Sequence, residues 1–398
     1  MTCPHCAQSA GFHGFRPLRP LSLLGPLHYS RAYYYCRCCG QGLAPFDDRA
    51  GLTGRRLTPG LERVATLAGI VAGSFREAAD EVLWELAGIH LSESTVERTT
   101  EDAGTRLRQA WAAGATFGPV CVWGWQHDYE GCTCAYVGCD ATGVRQQGAG
   151  GAAAEGRMIN VAVIYNPTPE YSTKARPPQM PARYLAGFYS YDDLGTLMRR
   201  QGAQVGMDRA ERWIGLCDGA NGLDTLLERN FPRVEVVILD FYHPAEHLGN
   251  LAKALHPQEP EQAQAVAGEW CRLLKEEGGA VVMAVLQTWD WPSRRPALRA
   301  QLEEVLQYFG NNVERMEYPE YLAKGWHIGS GPVEAACKQV VGQRLKGTGM
   351  RWGEDGADSV SHLRALFRSE PGQWAAFWQR DQNNRSRIGS DHLSHQQN

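Results

Sequence analysis

The chain has 398 residues, 43% hydrophobic and 21% charged, with a net charge of −4. That length admits roughly two to four domains, and the composition is that of a folded globular protein. No run of about 18 apolar residues occurs, which excludes a membrane-spanning helix. The opening Met1-Thr-Cys-Pro-His-Cys also lacks the basic start and apolar stretch of a secretion signal, so the expectation is a cytoplasmic protein.

Residues 1–50 are rich in Cys, aromatics, Gly and Pro, with too few aliphatic residues in register to build a core. Cys3-Pro-His-Cys6 and Cys36-Arg-Cys38-Cys39 form two C-x-x-C pairs about thirty residues apart. Each pair suits a tight turn that points two thiolates at one tetrahedral ion, and the Tyr33-Tyr34-Tyr35 run reads as a strand entering the second turn. In a reducing compartment such cysteines are metal ligands rather than disulfides. The expectation is a zinc ribbon held by Cys3, Cys6, Cys36 and either Cys39 or Cys38, with structural Zn²⁺ supplying the folding energy that the small core lacks.

Residues 51–115 read as helical. Ser74 with Glu77 forms a capping box before Phe75, Gly88 ends that helix, and Ser92 or Ser94 caps the next. Two helices joined by a Gly-containing turn fit a helix-turn-helix whose second member offers Ser94, Arg98 and Thr99 to DNA. A plain helical bundle with an acidic surface (Glu93, Glu97, Glu101) is the alternative. A linker rich in Gly, Ala and Trp follows, up to about residue 130.

From about residue 125 to 257 the pattern alternates. Strands over 134–139, 158–164, 213–217 and 234–239 are interleaved with helices, which predicts a mixed α/β sheet with a parallel portion and an early antiparallel pair. Residues 258–325 are helical only and read as an insertion. Residues 326–380 resume the α/β unit, and 381–398 are polar and read as a disordered tail.

Three of the strands run into an aspartate, Asp140, Asp218 and Asp240. Carboxyl ends of strands are where sites form in open α/β sheets. One such Asp is often only a helix cap, but several on adjacent strands repel unless protonated or bridged by cations. Hard oxygen ligands favour Mg²⁺ or Mn²⁺, and two such ions about 3.5–4 Å apart suit phosphodiester chemistry. Later, Gly329-Ser-Gly-Pro-Val-Glu334 makes a helix start with Glu334 in the first turn, where the helix dipole and an i,i+4 pair with Lys338 are the plain explanations for a Glu.

Together, Val-Gly-Cys-Asp140-Ala-Thr-Gly, Leu-Cys-Asp218-Gly, Ile-Leu-Asp240-Phe-Tyr-His243 and Gly-Ser-Gly-Pro-Val-Glu334 occur in the order and setting of DDE transposases. The chain resembles the ISKra group of insertion-sequence enzymes, related to the Mutator-like transposases, over roughly residues 130–380. Arg344-Leu-Lys-Gly-Thr-Gly-Met-Arg351-Trp352 adds to the resemblance, although Ala follows Asp140 where Gly is common.

The resemblance implies an RNase H-like core interrupted by a helical insertion. It implies Asp140, Asp218 and Glu334 as the acids holding two Mg²⁺ or Mn²⁺ ions, and Asp240 and His243 as an auxiliary D-x-x-H pair. Either Asp218 or Asp240 can be the middle acid, Asp218 being preferred. Arg98, Lys338, Arg344, Lys346 and Arg351 are then phosphate contacts, and Trp352 stacks on an unpaired base or packs underneath. The expected partner is double-stranded DNA, both element ends and target, bound by a homo-oligomer associated with the bacterial nucleoid. The alternative is a DNA-binding regulator whose C-terminal part is inert.

Overall fold

The computed structural model describes residues 1–52, 56–167, 180–219, 222–289, 291, 295–370 and 372–390. At the N-terminus β1 (Gly11–Leu18) is followed by the short β2 (Leu21–Ser22) and β3 (Gly25–Pro26), then β4 (Tyr29–Tyr35), β5 (Gly42–Leu43) and α1 (Pro45–Arg49). β4 lies between β1 and β5, antiparallel to both. The core of this unit is only Cys3, Ala10, Cys36 and Leu43, far less apolar area than independent folding requires.

α2 (Pro59–Val71) leads to α3 (Phe75–Glu77), which continues in wider turns over Ala78–Glu85, and then to α4 (Glu93–Ala112). The expected capping holds: the Glu77 N–H donates to Ser74 Oγ at 3.0 Å, while Glu77 Oε2 accepts from the Gly73 N–H at 2.8 Å. Ser92, rather than Ser94, caps α4 by accepting from the Thr95 N–H. Gly88, at φ +64°, supplies the left-handed residue in the turn between them. α4 leaves Ser94 and Arg98 exposed but buries Thr99, so Thr99 is not on an outer face as expected. The Trp-rich stretch after α4 is not a loose linker either: Trp111, Phe117, Trp123 and Trp125 are all buried.

The second unit is a mixed α/β sheet of six strands. It comprises β6 (Gln126–His127), β7 (Thr133–Gln147), β8 (Ala153–Tyr165), β9 (Ala182–Gly187), β10 (Arg212–Cys217) and β11 (Val234–Leu239), with α5 (Tyr191–Gln204) and α6 (Leu223–Asn230) in the later connections. The order is β11-β10-β7-β8-β9, with β6 beside β7. β7, β10 and β11 are mutually parallel, while β7-β8 and β8-β9 are antiparallel. The sequence missed β9. It also ended β7 too early: the strand passes through Asp140 and continues to Gln147 in a long hairpin with β8.

α7 (Tyr242–Leu255), α8 (Pro260–Thr288), α9 (Pro296–Asn312) and α10 (Tyr318–Ala323) form the expected helical stretch. Gly278, at φ +84°, breaks α8 where it meets Met316. The chain then returns through α11 (Gly331–Ala336), wider turns over Cys337–Gly342, α12 (Gln343–Leu345), α13 (Glu354–Arg368) and α14 (Gln373–Ser390). α14 carries helix through 381–390, where the sequence suggests disorder, because Trp374, Phe377 and Trp378 anchor its first turns in the core; residues 391–398 lie outside the described residues. α13 is buried along nearly its whole length between α4 and β9, so the helical module and the sheet share one core. No helix among the described residues is long and apolar enough to cross a membrane.

Candidate functional site

Two sites can be built from the residues upward. In the first, Cys3, Cys6, Cys36 and Cys39 bring their sulfurs within 4.8 Å of one another. Cys3–Cys39 and Cys6–Cys36 are each 3.5 Å apart. A tetrahedral ion with ~2.3 Å bonds to sulfur needs ligands about 3.8 Å apart, so the thiols fit one. Both turns are built alike: the Ala7 N–H donates to the Cys3 carbonyl and the Gly40 N–H to the Cys36 carbonyl, each at 2.9 Å, with Ala7 and Gly40 left-handed. The Cys39 backbone N–H pulls the Cys36 thiol down to about 7, against the opposing effect of burial, which favours the thiolate a metal requires. Cys38 is exposed and outside the group. Among the described residues no other set of His, Cys, Asp or Glu gathers three ligand atoms this closely.

The second site is the acid row. Cys139, Cys217 and Leu239 sit side by side in the strand register, so Asp140, Asp218 and Asp240 are the next residues along three adjacent parallel strands. Neighbouring strands lie about 4.8 Å apart. Burial raises the Asp140 carboxyl and the Asp218 charge adds to that, while His243 opposes it. Asp140 and Asp218 therefore sense each other as like charges.

Asp240 has a different job. It is buried, and its carboxylate accepts from Ser330 Oγ at 2.6 Å, from the Ser330 N–H at 3.0 Å and from the Tyr242 N–H at 3.2 Å. His243 Nε2 stands 3.7 Å away. Asp240 thus staples the end of β11 to the Gly329-Ser330-Gly331 turn that launches α11.

α11 carries Glu334, whose N–H donates to the Ser330 carbonyl at 2.8 Å. The helix lies directly on β7: a Cβ at Gly138 would fall 2.5 Å from Val333 Cγ2, so only glycine permits this approach. One turn on, Cys337 Sγ donates to Asp140 Oδ2 at 3.4 Å. The Glu334 side chain itself is largely exposed and 2.6 Å from Lys338 Nζ. The structure thus brings the aspartates into a row and the Glu334 helix against it, while Glu334 makes the i,i+4 pair.

Of the basic residues, Lys346 is exposed and its Nζ bonds Thr142 Oγ1, two residues beyond Asp140 on the same side of β7. Lys338, Arg351 and Arg98 are exposed as well, the last donating to the Ser94 carbonyl at 3.0 Å.

Two expectations need correction. Arg344 is 1% exposed: it donates to the Gly69 carbonyl at 2.9 Å and the Gly73 carbonyl at 3.5 Å, and lies over the rings of Phe75 and Trp352. Trp352 is buried too, edge-on to Phe75, with its Nε1 donating to the Leu345 carbonyl. Neither reaches a surface where DNA can lie. The carbonyls left open at the end of α2 demand donors, and Arg344 fills that role together with Arg364, which donates to the Ile70 carbonyl.

Sequence reasoning missed Tyr308 and Arg315. The Tyr308 ring would meet a Cβ at Gly219 at 3.0 Å, and its hydroxyl is raised by burial and then by the Asp218 charge. Arg315 Nη1 donates to Cys217 Sγ at 3.4 Å and sits 3.6 Å from Asp224. The helical insertion thereby packs on the end of β10. No motif around residues 308 or 315 announces this; only the fold brings them there. No family model matches the chain and no curated protein matches it, so what the site can do has to be argued from these contacts and their chemistry.

Proposed function

We propose that the chain is a DDE-type DNA transposase that cleaves the ends of an insertion sequence and joins them to target DNA. One observation carries the reading: Asp140 and Asp218 stand next to each other on parallel neighbouring strands, with the Glu334 helix packed on the first of them. The strand order, three antiparallel strands continued by two parallel ones on the far side of the first, supports an RNase H-like core. The helices between β11 and α11 take the place of the insertion that the resemblance implies.

Paired hard carboxylates that repel each other fit divalent cations, and Mg²⁺ or Mn²⁺ bound there would activate an attacking oxygen and stabilise the leaving one. Asp140 and Asp218 hold the ions, and Glu334 completes the set by turning from Lys338 towards the row. Asp240, stapled to Ser330, and His243 beside it position α11 rather than ligate. Lys346, Lys338 and Arg351 line the DNA path. The four-cysteine unit holds structural Zn²⁺ and, with the Arg98 face of α4, grips the terminal repeats. Two ends processed together call for at least a dimer on DNA, in the cytoplasm.

The Glu334–Lys338 pair is the observation that favours the alternative, a DNA-binding regulator with an inert C-terminal part. Mg²⁺-dependent cleavage of cognate ends, and strand transfer from pre-cleaved 3′-OH ends, decide between them. The wild type should do both, and Asp140→Asn, Asp218→Asn and Glu334→Gln should do neither. Full activity in all three variants sinks the proposed site, and an inactive wild type that still binds the ends favours the regulator.

A further inference from the structure

Away from the acid row, a cavity of about 310 Å³ opens where α4, the end of β9, α5 and α13 meet, at the lower end of the size range for small-ligand sites. Trp111, Phe188 and Tyr189 give it flat aromatic walls, Arg108 and Arg200 add two guanidinium groups, and Asp193 adds a carboxylate. Most of these groups are fixed. Arg200 Nη1 donates to the Trp111 carbonyl at 2.8 Å, and Arg108 Nη1 lies 3.4 Å from Asp358 Oδ2, which in turn accepts through Oδ1 from the Phe188 N–H at 2.8 Å. Tyr189 is stacked flat on the buried His362. One group lacks a protein partner: Trp111 is 2% exposed, yet its Nε1–H bonds nothing in the chain. A buried donor left unmade costs about 1–3 kcal/mol in general, and a ligand acceptor in the cavity would satisfy it.

The register places this cavity beside the acid row. Ala141 pairs with Asn160, and Asn160 with Gly187, so Phe188 and Tyr189 leave β9 at the same edge of the sheet, two strands from Asp140. Two inter-strand spacings are about 10 Å, roughly three nucleotides of B-form rise along one DNA strand.

We propose that this cavity receives one unstacked nucleotide. Its base lies between the aromatic walls, as bases do on aromatic side chains in single-strand binders. The Trp111 indole N–H donates to a ring acceptor and the Asp193 carboxylate accepts from an exocyclic amine, while Arg108 and Arg200 at the rim take the phosphate. The inference rests on the DNA-processing reading only for the source of the nucleotide, a strand already at the acid row. A free mononucleotide has the same chemistry and is the other source.

The full-length protein would be titrated against three probes: dAMP, a 20-mer single strand with one central 2-aminopurine, and the duplex of that 20-mer. Intrinsic tryptophan quenching reports dAMP and 2-aminopurine emission reports the oligonucleotides. Binding is expected with the single strand at least tenfold tighter than with dAMP. Thr196→Phe, which fills the cavity from α5, should weaken both signals at least tenfold, and Arg108→Gln on the rim should weaken the oligonucleotide signal several-fold. A changed melting temperature for Thr196→Phe would shift the decision to Arg108→Gln and Asp193→Asn.

Oligonucleotides that bind with no 2-aminopurine change, or with a change that Thr196→Phe, Arg108→Gln and Asp193→Asn leave intact, overturn the cavity while leaving the DNA reading standing. Tight dAMP binding lost in Thr196→Phe, with no affinity for either oligonucleotide, supports the cavity and sinks its DNA source. A Thr196→Phe effect on sedimentation alone would assign the cavity to a side chain of a second copy and overturn the proposal.

Discussion

The two candidate metal sites differ in how they are assembled. The four-cysteine unit draws its ligands from two turns of one small ribbon, and all four sulfurs are in place without any ion. The acid row draws from β7, β10, β11 and α11, spread over 195 positions from Asp140 to Glu334, and its glutamate is turned to Lys338. A site built from local turns is complete once each turn forms. One built across a sheet inherits its spacing from strand register and leaves its last ligand to be recruited, as like charges without a counter-ion require.

The largest test of this contrast is at the ribbon. Cys36→Ser, or removal of zinc by a chelator, should abolish stoichiometric zinc and unfold residues 1–50, while the main thermal transition of the rest stays in place. Colorimetric zinc release and hydrogen exchange would show it. Because metal binding displaces thiol protons and Cys36 titrates at about 7, zinc affinity should fall as pH drops from about 7 to 5. A zinc content independent of pH would break the comparison.

Next in size, Asp140→Asn and Asp218→Asn should each cut Mg²⁺-dependent cleavage by about 10³-fold, some 4 kcal/mol of transition-state stabilisation. Asp240→Asn should lose less activity and also lower the melting temperature, because it weakens the hold on Ser330. Equal loss with unchanged stability would make Asp240 a ligand. Arg344→Met should destabilise the protein by about 2–4 kcal/mol in chemical unfolding, since it strands the α2 carbonyls, whereas Arg351→Ala should change only DNA affinity.

A smaller and opposite effect is expected at Asp140. Its carboxyl is raised in the folded state, so ionisation costs stability: the cost begins as pH climbs past the unfolded value near ~3.9 and is full above the folded one. Asp140→Asn should therefore raise the melting temperature at pH 7 by about 1–3 °C. Added Mg²⁺ should stabilise the wild type and not the variant. Lys338→Ala, which removes only an exposed i,i+4 pair, should shift melting by about 1 °C or less. A larger shift would mean the pair props up α11.

What was legible in the sequence follows the same division. The knuckle spacing, the Ser74 and Ser92 caps and the strands at 213–217 and 234–239 are short-range signals, and the structure contains them. β9 was illegible because Ala-Arg-Tyr-Leu-Ala-Gly neither alternates nor forms a run of β-branched residues. Arg344 and Trp352 misled because a basic, aromatic segment reads the same whether it faces solvent or caps another helix. The adjacency of Asp140 and Asp218 could be anticipated from strand ends, but Tyr308 and Arg315 could not, since only the packing of the insertion on β10 delivers them.

The clamp that Arg344 and Arg364 make on the last turn of α2 has a mechanical consequence. It ties the helices that would recognise a sequence to the segment that follows Glu334, through bonds buried in the interior. A protein so joined behaves as a ruler: the number of base pairs between the bound sequence and the nick is fixed by its core, and changing that interval in the DNA should cost activity with a period set by the helical repeat of the duplex.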